Sequence, residues 1–246
     1  MDPSNMIKAI TFDLGNTLLR HDNLEWEKLE RAGFANHARI FTKLGLRRPT
    51  QKQWSEAYYR YFNELRVIGN KHHLEVSVER IFTCLHSEFG LPPSITVPSL
   101  LHSFFMPVVV ARQLVDGADK VVNRLKERGY KLAVISNTIT PGMFGRDALQ
   151  RLGILDVFDF TLYSSDCLYC KPHSTMFEMA LHRWKIHSSS VIHIGDQLHR
   201  DVYGAARAGL RTLWLNPTGA KIRHKRFKPD YELAHLHGLP DLLESV

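Results

Sequence analysis

Apolar runs alternate with helix-like periodic segments along the second half of the chain. Strand-like runs lie at about 131–135, 158–163, 190–194 and 211–215, with a shorter one at 230–233. Helix-like segments, with apolar residues three or four positions apart, lie at about 119–128, 146–152, 174–184 and 198–208, with a final turn at 239–243. Near-continuous apolar strands separated by helices predict a Rossmann-like, doubly wound parallel α/β sheet covered on both faces. Residues 6–19 supply its first strand and the loop that follows.

Residues 23–111 show only helical periodicity. Amphipathic helices are predicted at about 26–44, 54–69 and 76–89, and from Pro98 onward, with Gly45 and Gly69 ending the first two. A helical unit of roughly 90 residues is large enough to form a small core of its own. The predicted organisation is therefore an α/β core domain of residues 1–19 and 112–246, divided by an inserted all-α domain of residues 20–111.

Composition narrows the class of protein. The chain has 246 residues, of which 44% are hydrophobic, and no apolar run reaches the roughly 20 residues that span a membrane. Residues 1–5 show no basic or apolar signal pattern, which favours a cytoplasmic protein. Three cysteines fit a reducing compartment. Cys167 and Cys170 form a C-x-x-C, but a second such pair is absent from the sequence, so incidental thiols are expected rather than a zinc or redox site.

The formal net charge of +7, from 32 basic and 25 acidic residues, suits an anionic small substrate. The densest basic run lies between Pro217 and Pro229, and it consists of Lys221, Arg223, His224, Lys225, Arg226 and Lys228. We interpret it as a solvated surface loop, with a nucleic-acid patch as the less favoured alternative. Neither a membrane nor a nucleic acid is therefore expected as a partner.

Candidate chemistry lies at the ends of the predicted strands. Asp13 follows the first strand, and Asp196 and Asp201 follow the strand at 190–194. The carboxyl ends of parallel strands meet at one edge of an open sheet, which is where ligands bind. Carboxylates in this arrangement suit Mg²⁺, which prefers hard oxygen ligands. The alternative is that Asp196 caps a helix and Asp201 is an exposed helical residue.

Two further stretches offer phosphate-binding groups. Ser136 and Asn137 present a hydroxyl and an amide at a strand end, although both types also cap turns. Lys171 precedes Pro172 and can neutralise a carboxylate together with an incoming phosphate, although a lone lysine is more often solvated.

These stretches, in this order, resemble the four motifs of the haloacid dehalogenase superfamily. The matching segments are Phe12-Asp13-Leu14-Gly15-Asn16-Thr17-Leu18, Val134-Ile135-Ser136-Asn137-Thr138, Lys171-Pro172 with Phe177, and Ile194-Gly195-Asp196 with Asp201 and the run 204–209. The helical segment at 20–111 resembles the C1 cap of subfamily I in that superfamily. Each motif alone is weak evidence for the superfamily, whereas the four motifs in this order are specific to it.

The resemblance implies a role for each residue. Asp13 would be the nucleophile that forms an aspartyl-phosphate. The Mg²⁺ ligands would be Asp13, the Gly15 carbonyl and Asp196, with Asp201 in or near the coordination sphere. Ser136 and Lys171 would bind the transferring phosphoryl group. The remaining substrate contacts would come from Asn16, Thr17, Asn137 and backbone amides after Asp13.

One position departs from the family pattern. Phosphatases of the superfamily usually carry a second aspartate two residues after the nucleophile, as general acid and base, and this chain has Gly15 there. The sequence favours a Mg²⁺-dependent hydrolase of a small phosphorylated metabolite. The alternatives are a 2-haloacid dehalogenase or another hydrolase of the superfamily, and a weak or non-catalytic binding protein. Substrate identity and the choice between monomer and homodimer stay open.

Overall fold

The computed structural model describes residues 6–21, 24–222, 226 and 228–245. Six parallel strands form one sheet in the order β3-β2-β1-β4-β5-β6. The strands are β1 (Ala9–Phe12), β2 (Lys131–Ser136), β3 (Phe160–Tyr163), β4 (Val191–Gly195), β5 (Arg211–Leu215) and β6 (Tyr231–Leu233). The predicted parallel α/β fold is confirmed.

Helices cover both faces of the sheet because alternate strand residues point to opposite sides. Ile10 and Phe12 of β1 pack in the same core as α5 (Ala118–Glu127), α6 (Gly142–Arg151) and α10 (Leu239–Leu242). Ala9 packs on the other side, with α8 (Thr175–Trp184) and α9 (Gly204–Arg207). The short helix α7 (Ser164–Cys167) directly follows β3.

Four helices lie between β1 and α5, and we call them the helical insertion. They are α1 (Trp26–Lys43), α2 (Gln51–His72), α3 (Val78–Glu88) and α4 (Val97–Ala111). Thr50, Ser77 and Thr96 cap the last three helices, because each side chain accepts a backbone N–H from three residues further on. Helices α1 and α4 meet at Gly33, where an added Cβ would lie 2.5 Å from the Phe104 carbonyl oxygen.

Three local predictions differ from the structure. Helix α2 continues beyond Gly69 to His72. Gly69 does not end the helix; it allows a close approach of the chain, because an added Cβ there would lie 2.7 Å from the Leu74 carbonyl oxygen. Helix α4 begins at Val97, so Pro98 lies in its first turn, where proline is tolerated. The helix after β4 begins as a π-helix, Leu198–Tyr203, before α9.

Helix α4 of the insertion packs against α6 of the core, with the Phe105 and Phe144 rings 5.4 Å apart, and backbone contacts connect the two parts at two further places among the described residues. Where the chain enters and leaves the insertion, Leu19 bridges Leu114, and the Val115 N–H donates to the Leu18 carbonyl over 2.9 Å. The second connection is the loop after α2: the Glu75 N–H donates to the Leu168 carbonyl over 2.7 Å. In the same place, the Cys170 N–H donates to the His73 carbonyl over 2.6 Å. We call this second connection the 73–76/168–170 contact.

Two sequence predictions fall partly outside the described residues. Residues 1–5 are among those not described, as are Arg223, His224 and Lys225 of the basic run. The guanidinium of Arg226, from the same run, packs over the Tyr203 ring at 5.8 Å. Within the described ranges, every helix is too short or too polar to cross a bilayer.

Candidate active site

The Lys171 side chain is the centre of the site at the carboxyl edge of the sheet. Its ammonium donates to Asp13 Oδ1 and Asp201 Oδ1, each over 2.6 Å, and to the Ile135 carbonyl over 2.8 Å. Lys171 is only 2% exposed, so all three ammonium protons are satisfied inside the protein. The prediction that Lys171 neutralises a carboxylate therefore has a geometric basis, and the solvated alternative is excluded.

A chain of buried polar groups supports this arrangement. Asp201 Oδ1 also lies 3.3 Å from His193 Nε2, and the Thr11 hydroxyl lies 2.9 Å from His193 Nδ1. Because a carboxylate only accepts, Nε2 carries the proton and Thr11 donates to Nδ1. Burial lowers the pKa of His193, which keeps the ring neutral. Sequence reasoning did not assign His193 or Thr11, although two polar residues in otherwise apolar strands were a signal.

Asp201 is held closely beside the last residue of β4. An added Cβ on Gly195 would lie 2.3 Å from Asp201 Cγ, so only glycine permits this approach. The second carboxylate oxygen of Asp201 accepts the Gln197 N–H over 2.9 Å. Asp201 is 1% exposed, which rules out the exposed alternative. Both of its oxygens thus have partners inside the protein, and one of these partners is Lys171.

The ionisation of the acids follows from burial and from Lys171. Burial raises the pKa of Asp13 to about 6, against an opposing effect of Lys171. Burial also raises the pKa of Asp196 to about 7, and the charges of Asp13 and Asp201 add to this. For Asp201 burial is outweighed by Lys171 and His193, which hold its pKa below the usual range. The site thus holds more negative charge than Lys171 compensates.

Asp196 has the features of a cation ligand. Its Oδ1 is buried and has no hydrogen-bond partner among the described residues. Oxygens of Asp13, Asp196 and Asp201 lie within 4.8 Å of one another. An unpartnered buried carboxylate oxygen beside a second carboxylate is a donor set that fits Mg²⁺. The alternative role of Asp196 as a helix cap is not observed, because Gln197 precedes the π-helix and makes no side-chain cap.

The other predicted site residues divide into two groups. Ser136, Gly15 and Asn137 line the cavity described below. The amide of Asn137, however, bonds the backbone of Lys171 in both directions, each over 2.8 Å, so Asn137 positions the lysine. Asn16 and Thr17, which the sequence predicts as substrate contacts, do not line the cavity. Asn16 Oδ1 accepts the His21 N–H, and Thr17 is fully buried in the loop.

A cavity of about 740 Å³ lies between this site and the helical insertion. Leu14, Gly15, Ser136 and Lys171 line it on the core side. Its insertion side is largely aromatic, with Trp26, Tyr58, Tyr59, Phe62 and Phe104. The volume is within the range of small-molecule sites. Polar groups at one end and apolar walls at the other suit a ligand with an anionic head and a less polar body.

From the sequence alone, five polar residues of the predicted insertion helices could contact a substrate, although each is also an ordinary surface residue type: Tyr58, Tyr59, Arg60, Arg66 and His72. Tyr58, Tyr59 and Arg66 line the cavity. Arg60 instead pairs with Glu88, and His72 is not part of the lining. Sequence reasoning did not single out Glu75, Arg112 or Tyr163, which also line it.

The cysteines take no part in a metal cluster within the described part of the chain. The Cys170 thiol donates to Glu75 Oε2 over 3.2 Å, and the Ser164 hydroxyl donates to the same oxygen. All three cysteines are free thiols. Cys170 therefore contributes to the 73–76/168–170 contact.

Comparison with known proteins decides the family. A family model described as haloacid dehalogenase-like hydrolase matches residues 7–209. The chain belongs to this family of hydrolases. The resemblance of its four motifs is thereby confirmed, and the chain is a hydrolase of the haloacid dehalogenase type.

Individual relatives include both phosphatases and a dehalogenase. The chain is 26% identical to a glyceraldehyde 3-phosphate phosphatase of Pyrococcus abyssi over 85% of this chain and 82% of that protein. It is 27% identical to pyrimidine 5'-nucleotidase PynA of Streptococcus pneumoniae over 97% and 95%. Among solved structures, a 2-haloacid dehalogenase from Pseudomonas syringae pv. Tomato DC3000 superimposes with a TM-score of 0.73 and 28% identity, covering 98% of this chain and 99% of that one.

Proposed function

We propose that this hydrolase is a Mg²⁺-dependent phosphomonoesterase acting on a small phosphorylated substrate, with Asp13 as the nucleophile. The observation that carries the proposal is the Asp13–Lys171–Asp201 network beside the unpartnered oxygen of Asp196. An acid network of this kind suits phosphoryl transfer, whose catalysis rests largely on positioning and charge stabilisation.

The reaction follows from the placement of the groups. An Asp13 oxygen attacks phosphorus, the ester P–O bond breaks, and the leaving alkoxide takes up a proton from water. Water then attacks the phosphorus of the aspartyl-phosphate, which releases inorganic phosphate and regenerates the Asp13 carboxylate. Lys171 holds one Asp13 oxygen and offsets the phosphoryl charge, and Ser136 donates to a phosphoryl oxygen.

Asp13 and Asp196 would hold the magnesium ion, with the Gly15 carbonyl as a further ligand. When bound there, a magnesium ion would neutralise the excess carboxylate charge and supply Lewis acidity. The helical insertion, which we assign to a cap domain of residues 20–111 on a core domain of residues 1–19 and 112–246, would exclude water from the cavity. Two of the full-length relatives named above are phosphatases, which supports this choice.

The second candidate function is dehalogenation of a 2-haloacid, favoured by the similarity to the Pseudomonas syringae structure. That chemistry uses an aspartate nucleophile and needs no metal. The buried, unpartnered oxygen of Asp196 argues against it, because a carboxylate with no partner is costly unless a cation binds there.

The test is hydrolysis of p-nitrophenyl phosphate with Mg²⁺ or with EDTA. We expect turnover in the native protein with Mg²⁺, and no turnover with EDTA or in Asp13→Asn. Asp196→Asn should reduce the turnover, and it should also reduce the rise in melting temperature that Mg²⁺ causes. Asp156→Asn, at an exposed carboxylate outside the site, is the matched control. Turnover insensitive to EDTA, or chloride release from 2-chloropropionate without phosphate release, would overturn the proposal.

A further inference from the structure

Arg112 is a positive charge in the cavity wall with no acidic partner. It directly follows α4 and is half-buried, and burial lowers the pKa of its guanidinium. None of the described carboxylates lies within 4.0 Å of it. Its guanidinium lies 5.8 Å from the centre of the Trp26 ring, and Nη1 reaches the Arg20 carbonyl only at 3.5 Å. A partly desolvated charge with such weak contacts is unfavourable unless a ligand completes it.

Tyr163 lies in the same wall of the cavity. It ends β3, where its backbone pairs with Ser136 on the neighbouring strand. Its ring packs against Gly145, where an added Cβ would lie 2.6 Å from the ring, and its side chain is fully buried. Burial raises the pKa of Tyr163 and a contact with the Thr161 side chain lowers it, but the hydroxyl makes no hydrogen bond of ordinary geometry with the described residues. Buried polar groups nearly always have a partner, so this donor calls for an explanation.

The two groups lie within each other's electrostatic reach. Burial raises the pKa of Tyr163, and the charges of Arg146 and, less strongly, of Arg112 lower it, while Tyr163 in turn raises the pKa of Arg112. The Arg146 charge is already paired with Asp166. Tyr163 of β3 pairs with Ser136 of β2, which belongs to the proposed phosphoryl site. The backbones of paired strands lie about 4.8 Å apart, so Tyr163 is one strand away from that site. A guanidinium and a hydroxyl together offer several donors and a positive charge, which suits an oxyanion.

We propose that Arg112 and Tyr163 form a subsite for a second oxyanion, a carboxylate or a further phosphate, carried by the leaving group of the substrate. The inference rests on the proposed phosphatase function and names its substrate class: a phosphomonoester whose alcohol portion is short, largely apolar and anionic at its other end. The apolar part of the substrate contacts the aromatic wall, and its second anion is the negatively charged partner that Arg112 lacks.

Other cationic residues of the lining are weaker candidates. Arg66 and Arg200 also line the cavity, but both side chains are exposed. Charges in contact with bulk water contribute little to recognition, whereas a desolvated guanidinium–carboxylate pair is strong. Arg66 is therefore the matched control inside the cavity, and Arg80, exposed on α3, is the control outside it.

The test compares 3-carboxyphenyl phosphate with 3-carbamoylphenyl phosphate, which have the same shape and differ in charge. The readout is the ratio of kcat/KM for acid over amide with Mg²⁺. We expect the ratio to be about 10–100 in the native protein, as for a charge-assisted pair. Arg112→Gln should reduce it to below about 3 and Tyr163→Phe to an intermediate value, whereas Arg66→Gln and Arg80→Gln should retain it. A third substrate, 1,3-phenylene bisphosphate, shows whether carboxylate or phosphate is preferred.

Binding separates this inference from the proposed function. In an Asp13→Asn background, calorimetry should give tighter binding of the acid than of the amide by the same ratio, and Arg112→Gln should abolish the difference. Turnover of both substrates at similar kcat/KM would overturn the subsite and leave the phosphatase proposal intact. Absence of turnover with preferential binding of the acid would overturn the phosphatase proposal alone. A preference that disappears in Arg66→Gln, or equal binding of acid and amide, would refute the assignment to Arg112 and Tyr163.

Discussion

Replacing Gly15 by aspartate should make this hydrolase faster on phosphate esters with poor leaving groups. The usual general acid and base of the family's phosphatases stands at this position, and here it is missing. The leaving alcohol of an alkyl ester must be protonated as it departs, whereas nitrophenolate leaves without that help. Gly15→Asp should therefore raise kcat/KM for an alkyl phosphate and change that for p-nitrophenyl phosphate little.

The structure leaves room for the new side chain. The heavy atoms nearest to an added Cβ on Gly15 are carbons of His21 at 3.8 Å, which is ordinary van der Waals contact. Gly15 is absent from the glycines with positive φ, so an L-residue causes no backbone strain. Gly15 lines the cavity, which brings the carboxyl group to the substrate. If the new carboxyl group reaches the leaving oxygen, kcat/KM for the alkyl phosphate should rise by about 10²–10⁴-fold, which is the usual contribution of general acid–base catalysis.

The assay measures phosphate release from 2-phenylethyl phosphate and from p-nitrophenyl phosphate at saturating Mg²⁺. Gly15→Asn is the control, because asparagine has nearly the same shape and cannot transfer a proton at neutral pH. Equal rates for folded Gly15→Asp and Gly15→Asn on the alkyl ester would contradict this prediction. They would show that a carboxyl group at position 15 does not protonate the leaving group.

Two further predictions concern buried ionisable groups. Lys171→Met should abolish turnover and lower the free energy of unfolding by about 3–5 kcal/mol, because it leaves Asp13 and Asp201 buried without their cation; a loss below about 1 kcal/mol in urea unfolding at pH 7 would contradict this. His37 is 1% exposed, and burial lowers its pKa to about 4, so the unfolded state binds a proton that the folded state does not. Stability should therefore fall by about 3 kcal/mol as the pH drops from about 6.5 to 4, and His37→Gln, compared by circular dichroism across that range, should show a shallower fall.

The convergence of Asp13, Lys171 and Asp201 on one edge was predictable because parallel strands all end at the same side of a sheet. The local signals sufficed for this, since each polar residue stands next to an apolar strand or a helix start. Thr11 and His193 were not assigned because their partnership depends on strand register: they face each other across β1 and β4, far apart in sequence. Register is set by the folded sheet rather than by either strand alone.

The cavity wall was less predictable still. Periodicity identifies the helices of the insertion but does not tell which residues face the core domain, so Tyr58 and Arg66 could not be separated from Arg60. The sequence around Gly69 fits a helix C-cap, but the helix ends at His72, and an added Cβ on Gly69 would lie 2.7 Å from the Leu74 carbonyl oxygen in the turn that follows. This local contact depends on the turn that the chain makes after α2, which the residue types alone do not determine.

Through the 73–76/168–170 contact, the helical insertion is bonded to the residue that directly precedes Lys171. A helical insertion attached only through the two segments that connect it to the core could tilt without moving the side chains of the site beneath it. Here the Cys170 N–H is bonded to the His73 carbonyl, and the next residue along the chain is Lys171. A tilt that opened the cavity at this side would break that bond or pull on the backbone next to Lys171, so we expect opening of the cavity to be coupled to the alignment of Lys171 with Asp13.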